Sequence, residues 1–289
     1  MRKFSYINEN GREIHFDASS PFRLTAINGL STNKVTVLEA QNGSPVGAAV
    51  SDLHVEPKDI TFEGDFPANM VHRRNLIDTI LPGKKGSLKL EDENGDVYFL
   101  EGTPIDTPII GEDVVYQPFQ FVFHSSYPYW QRDAQTDSNF FNYESLFKFP
   151  RSFSSTVPWK IAEIKLIQIT NVINESSTDI GFEVRFRALG TLRAPEIMNL
   201  ITREKIKMKS SFVMNYGDEL KISTQPNNVS VRLTREGSGI TENAFRYVDH
   251  EETEYFLLAP GDNQLRYGAK SIVQSMEVYL SYRQIRVGV

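Results

Sequence analysis

The sequence predicts a mainly β chain divided into two β-rich domains, with a single helix in the first. Apolar and polar residues alternate along most of the chain, as in Phe182, Val184 and Phe186 against Glu183, Arg185 and Arg187. Asn-Gly pairs punctuate the alternation at Asn10-Gly11 and Asn94-Gly95, supplying the positive φ that a tight hairpin turn needs. A length of 289 residues is more than one small core organises, so two domains are expected.

Phe4 and Tyr6, the turn Asn8-Glu9-Asn10-Gly11, and then Ile14 and Phe16 read as a first hairpin. A helix is expected from Pro67 to Leu81, where Met70, Leu76, Ile77, Ile80 and Leu81 share one face and Pro82-Gly83 stops it. Arg73 falls on that apolar face, read as a stem along the core with its head reaching water, the alternative being an arginine kept for a partner subunit. Leu88 and Leu90, the turn Asp92-Glu93-Asn94-Gly95, and then Val97 and Phe99 form a second hairpin.

The strand from Val114 to His124 runs into Ser-Ser-Tyr-Pro-Tyr-Trp130, after which the composition turns polar. That break sets the expected boundary near residue 133, giving domains 1–133 and 134–289. From Lys160 onward the pattern is that of a β-sandwich of short antiparallel strands, for example Val229, Val231 and Leu233 on one face. Met276, Val278, Leu280 and Tyr282 share a face before the apolar set shifts to Ile285 and Val287, a change of parity that marks a bulge or bend. The turn Ala259 to Asn263 lies between the apolar run Tyr255 to Leu258 and Leu265-Arg266-Tyr267, and is read as joining two core strands.

Charge and motif content exclude several functions. Thirty-one basic against 37 acidic residues leave a net charge of −6, which opposes a polyphosphate chain, so no nucleic-acid contact is expected. With no cysteine there is no disulfide framework, thiolate nucleophile or Cys-ligated zinc. No stretch approaches the roughly 18 apolar residues of a membrane span, and the first 16 residues lack the apolar core of a secretory signal. Histidines 15, 54, 72, 124 and 250 are scattered without metal-ligand spacing, His72 being expected on the polar side of the helix. No catalytic residue, metal site or cofactor site is expected, and the chain is read as a non-enzyme. Asp92-x-Asn94-x-Asp96 superficially matches a calcium loop but lacks its glycine and bidentate acid, so the hairpin explains it better.

Arg203, Lys205, Lys207 and Lys209 alternate as four cations on one strand face, read as a solvated outer face, with a dock for an acidic partner or anionic wall polymer as the alternative. The acidic run Asp249 to Glu254 is likewise read as solvated. Trp159, Tyr216 and Tyr247 are candidates for stacking on a saccharide, weighed against core or domain contacts.

Several pieces occur in a telling order: SPFRLTAINGL at 20–30, DITFEG at 59–64, the helix ending in Leu81-Pro82-Gly83, SLKLEDENGDVYFLEG and SSYPYWQ, then GFEVRFRALGTLRAPEIMNLITREKIKM, MNYGDELKIST, EYFLLAPGDNQLRYG and SMEVYLSYR. In that order the chain resembles the distal tail protein (Dit) family of long-tailed siphophages and related prophages, over nearly its whole length. It departs where family members often carry an arginine before the strand DITFEG, here Lys58-Asp59, and the segment 131–160 matches nothing in the family.

The resemblance implies an N-terminal β-sandwich or split-barrel-like ring domain with one helix and a β-hairpin, and a C-terminal galectin-like or carbohydrate-module-like β-sandwich. It implies a homohexameric ring at the virion tail tip, assembled in the host bacterial cytoplasm. One face of the ring would meet the major tail tube protein and the other a tail-associated fibre or lysin protein, with receptor-binding proteins anchored outward. Phe22, Arg23, Leu24, Arg73 and Arg74 are nominated as subunit contacts. The alternative role is a carbohydrate-binding module for host cell-wall saccharide.

Overall fold

The computed structural model describes residues 2–40, 48–145, 162–166, 169–226, 228–270 and 276–288. The chain separates into two compact units, one of Met1–Ala134 with Ile285–Val289, the other of Gln135–Gln284.

The first unit is built from β1 (Lys3–Asn8), β2 (Glu13–Phe16), β3 (Arg23–Asn28), β4 (Val35–Ala40), β5 (Ala49–Val55), β6 (Lys58–Pro67), α1 (Met70–Thr79), β7 (Gly86–Glu91), β8 (Val97–Pro104), β9 (Ile109–Ile110), β10 (Tyr116–Ser125) and the start of β11 (Trp130–Asn139). One sheet runs β2-β1-β7-β8-β11, and β3, β6, β10 and β9 form a second. The far end of β8 also pairs with β10, through Phe123 opposite Pro104, so one strand belongs to both layers, as in a split barrel.

Both expected hairpins form. Phe4 faces Phe16 and Tyr6 faces Ile14, all four buried. In the second, Leu88 faces Leu100 and Leu90 faces Tyr98. The buried residues of β8 are therefore Tyr98 and Leu100, while Val97 and Phe99, expected inside, are half-buried. All four are apolar or aromatic, so alternation alone did not choose between the two faces.

The helix also differs from expectation, spanning Met70–Thr79 rather than Pro67 to Leu81. Pro67 still belongs to β6, paired with Tyr116, and the Asn69 side chain caps the helix by accepting from the Val71 N–H at 2.8 Å. Met70 thus sits in the first turn, 63% exposed, and the helix buries Leu76 and Thr79, with Ile80 buried just beyond it. His72, expected on the polar side, has its ring 6.0 Å edge-on from Phe22.

The core between the two sheets is aromatic. Phe62 stacks on Phe121 at 4.9 Å and 8°, and Phe16 stacks within 6.2 Å of both and of Phe119. Gly64 makes room for this layer: a Cβ there would lie 2.6 Å from the Phe119 ring and 2.2 Å from the Arg23 carbonyl.

The second unit contains the rest of β11, then β12 (Phe141–Ser145), β13 (Ala162–Leu166), β14 (Ile169–Asn174), β15 (Phe182–Ala188), β16 (Leu192–Arg193), β17 (Glu196–Asn199), β18 (Lys205–Lys207), β19 (Val213–Met214), β20 (Glu219–Ser223), β21 (Ser230–Thr234), β22 (Thr241–Asn243), β23 (Gly261–Gly268) and most of β24 (Met276–Arg286). Strands β24-β15-β20-β21-β22 make one layer and β14-β23-β17-β18 the other, with two-stranded ribbons β12–β13 and β16–β19 beside them. Phe182, Val184 and Phe186 are buried, as are Met276, Val278, Leu280 and Tyr282, and the shift of parity then buries Ile285. Val229 lies just before β21 and is exposed, unlike Val231 and Leu233.

The turn Ala259 to Asn263 is organised by a buried asparagine. Asn263 donates to the Ala259 and Gly261 carbonyls at 2.8 and 3.2 Å and accepts from the Ala259 N–H at 3.1 Å, while Gly261 takes φ +89°. It leads into β23, but the run before it is not a strand. Only Leu258 makes a bridge, to Ile180.

Lys58, the first residue of β6, is 4% exposed. Its ammonium donates to the Leu30 and Val287 carbonyls at 3.3 and 3.4 Å, and no side-chain carboxylate among the described residues pairs with it. Burial pushes its pKa from 10.5 down to about 8. Between those values the unfolded chain holds a proton that the folded chain has released, so stability rises with pH. Denaturant unfolding should therefore show stability increasing from about pH 8 to 9.5, with a slope of at most about 1.4 kcal/mol per pH unit. Lys58→Met should flatten that slope, and an unchanged slope in the variant would show that Lys58 is not its source.

Candidate subunit interface

Among the described residues, strands β4 and β5 pair only with each other. Val35 lies opposite Val55 and Val37 opposite Leu53, and a register shift after Leu38 then sets Glu39 against Val50. The shift keeps Val35, Val37, Leu53, Val55 and Val50 on one face of the ribbon. That face is open: Val35 is 48% exposed, Val37 46%, Val50 58% and Leu53 62%. A two-stranded ribbon is marginal in water unless an apolar face is covered, so this arm calls for a surface to lie on. The alternation of VTVLEA with AVSDLHV is the sequence signal for it.

A second open apolar area lies where α1 begins. Met70 and Val71, in its first turn, are 63% and 69% exposed, and Val114 and Val115 are 91% and 70% exposed. The two segments are held together by the Ala68 N–H donating to the Val115 carbonyl at 3.0 Å and by the pairing of Tyr116 with Pro67.

The nominated contact residues take different positions around these areas. Phe22 is buried, its ring edge-on to Phe66 at 5.5 Å and to Phe119 at 6.3 Å. Arg23 is exposed, donates twice to Asp65 Oδ1 at 2.7 and 2.9 Å, and lies 4.6 Å over the Tyr116 ring. The Asp65 carboxylate raises the pKa of that guanidinium. Leu24 is half-buried against the aromatic core. On α1, Arg73 is half-buried and Arg74 exposed. The structure thus brings Arg23 to Tyr116, beside the second apolar area.

In the second unit the row of four cations is broken up. Only Lys205 and Lys207 lie in β18; Arg203 sits in a turn at φ +67°, and Lys209 donates to the Arg246 carbonyl at 2.8 Å. Lys205 and Lys207 both hold Glu252, at 2.5 and 2.8 Å. This pairing uses one acid of the run Asp249 to Glu254, and neutralises part of the face read as a dock for anions. Among the described residues no three His, Asp or Glu side chains converge as a metal site. Asp92 instead organises its hairpin, its Oδ1 accepting from the Asn94 and Asp96 N–H groups at 2.9 Å.

Of the three aromatic candidates, Tyr216 is 69% exposed on a turn stapled by buried Asp218, which accepts from the Asn215 and Glu236 N–H groups and from Arg235. Tyr247 is engaged within the unit, 5.1 Å from Phe212 and with the Arg246 guanidinium 4.6 Å from its ring. Trp159 lies outside the described residues.

No protein-family model and no curated protein sequence matches the chain. Solved structures match its fold from end to end. The Dit protein of phage SPP1, described as a paradigm of the hub adsorption apparatus in phages that infect Gram-positive bacteria, matches with a TM-score of 0.65 at 9% identity over 98% of each chain. The phage P2 baseplate in its activated conformation, solved with calcium and with strontium, matches with a TM-score of 0.52 at 12% and 11% identity over 100% of each chain. At these identities the likeness is one of fold.

The double lysine clamp holds the Glu252 carboxyl down at about 2, through hydrogen bonds from Lys205 first and Lys207 second. An NMR titration of the Glu252 side chain should find that value in the wild-type chain and a return toward 4.5 in Lys205→Met/Lys207→Met. Equal values in the two proteins would show that the clamp does not persist in solution.

Proposed function

We propose that the chain is a structural hub protein of a bacteriophage tail, assembling as a ring of six copies that joins the tail tube to the tail-tip proteins. The observation that carries this reading is the end-to-end match of a two-unit β chain with the SPP1 hub protein, 98% of each. A domain-sized likeness would have left half the molecule unexplained.

The self-association part of the reading rests on the β4–β5 ribbon. Its open aliphatic face needs a partner surface, and a second copy of the chain supplies one at the concentrations of assembly. A ring requires heterologous contact, in which the patch on one copy meets a different patch on the next. The ribbon and the area around Met70, Val71, Val114 and Val115 are two such different patches on the same unit. Arg23, Leu24, Arg73 and Arg74 are proposed as contacts of the same interface, with buried Phe22 positioning β3 beneath them.

In this reading the role is structural rather than catalytic. The first domain, 1–133, forms the ring between the major tail tube protein and a tail-associated fibre or lysin protein. The second, 134–289, projects outward to hold receptor-binding proteins at the virion tail tip, after assembly in the host cytoplasm. The competing role, a module for host cell-wall saccharide, has exposed Tyr216 in its favour.

Light scattering on the purified chain should report a closed oligomer of six. Val37→Asp/Leu53→Asp places two charges on the ribbon face and should weaken assembly at least about 100-fold, because each carboxylate must be desolvated to fit the interface. Its circular dichroism should match the wild type, since neither residue belongs to the core. A variant that assembles as well as the wild type would rule out the ribbon as the interface.

A further inference from the structure

The segment Ile285 to Gly288 returns to the first unit after the whole of Gln135–Gln284 has intervened. There it is recognised residue by residue. Ile285 is 5% exposed. The Arg286 guanidinium lies 5.1 Å from the centre of the Tyr98 ring. The Val287 carbonyl accepts from the Asn33 side chain at 2.6 Å and from buried Lys58 at 3.4 Å. Lys58 and Trp130 Nε1 also donate to the Leu30 carbonyl, at 3.3 and 3.5 Å, which fixes the loop that faces the segment. At Gly288 a Cβ would lie 3.2 Å from the Ser31 carbonyl oxygen and 3.3 Å from its Cα and Cβ, so the smallest residue fits closest to the loop.

These contacts make up a peptide-recognition site: a buried aliphatic position, an aromatic face for a guanidinium, two donors converging on one carbonyl, and a position in close approach to Ser31. We propose that this seat on the first unit recognises an Ile-Arg-Val-Gly peptide that leaves a strand and bends at its valine, filled here by the chain's own segment and able to take the same segment from a second copy. The contacts are identical in the two cases, because none of them depends on which copy supplies the segment. Only the linkage differs: the chain's own segment is presented at a high effective concentration, so a neighbour's segment takes the seat at the high local concentrations of assembly. The seat's loop residues Ser31 and Asn33 immediately precede β4 and Lys58 follows β5, but the proposal does not depend on the hub assignment.

The chain has no cysteine, which makes the test clean. In the Ser31→Cys/Gly288→Cys double variant the two Cβ atoms start 3.3 Å apart, a few tenths of an ångström short of the disulfide range of about 3.5–4.5 Å, so a small give of the loop seats the bond and oxidation should consume both thiols within one chain. Thiols that remain free in a folded double variant would overturn the seat itself. To test exchange, full-length Ser31→Cys and Gly288→Cys single variants are mixed and oxidised under slow redox equilibration. Mixed disulfide dimers should exceed either homodimer at least about fivefold, and excess synthetic Arg-Gln-Ile-Arg-Val-Gly-Val should suppress them about tenfold by competing for the seat. Mixed dimers at the statistical level, or no suppression by the peptide, would overturn capture from a second copy.

Discussion

The first unit is organised by one layer of stacked phenylalanines. Phe62 of β6 and Phe121 of β10 lie nearly parallel at 4.9 Å, and Phe16 of β2 packs onto both from the opposite sheet. Burying each such ring stabilises the fold by about 1.5–3 kcal/mol, and each well-placed pair adds about 0.5–1.5 kcal/mol. The layer also fixes what surrounds it. Gly64 is required because Phe119 and β3 close in on its Cα, and the approach of β3 sets Arg23 between Asp65 and Tyr116. The helix then completes this arrangement with only Leu76, Thr79 and Ile80 inside.

A core that concentrates aromatic residues between two sheets leaves other apolar residues outside it. The ribbon β4–β5 departs from the sandwich with its aliphatic face uncovered, and the first turn of α1 meets the 114–116 segment in the same condition. In contrast, the exposed charges of the second unit are largely spent on one another, as where Lys205 and Lys207 share Glu252. The chemical character of the molecule follows from this division. Among the described residues the open apolar surface lies on the ribbon and beside the start of α1, while polar side chains such as Asp92, Asp218 and Asn263 hold turns.

The sequence disclosed those features that depend on local pattern. Asn-Gly turns located both hairpins, and the switch from Tyr282 to Ile285 was visible as a change of parity because each side of it alternates cleanly. Where both candidate faces were apolar, as at Val97 to Leu100, alternation did not decide, and the cross-strand register did. Met70 was placed inside because helical periodicity says nothing about where the core ends along the axis. Phe22 and Arg23 illustrate a similar limit: the first lies just before β3 and the second opens it, and only the packed structure shows that Phe22 is core and Arg23 surface. The burial of Lys58, and the return of residues 285–288 to the first unit, come from contacts across more than 200 positions, which no local signal encodes.

The order of segments in the sequence resembles the distal tail protein family, and the end-to-end match of fold agrees with that resemblance. A ribbon whose apolar face lacks a covering layer among the described residues gives a physical reason for the proposed self-association. Hydrogen–deuterium exchange of the backbone amides in Val35–Ala40 and Ala49–Val55, followed as a function of protein concentration, tests that reason most directly. The account predicts rapid exchange in dilute solution and protection rising by at least about 100-fold as the protein assembles, while the amides of β6 and β10 stay unchanged. Ribbon amides whose exchange is the same at every concentration would contradict it.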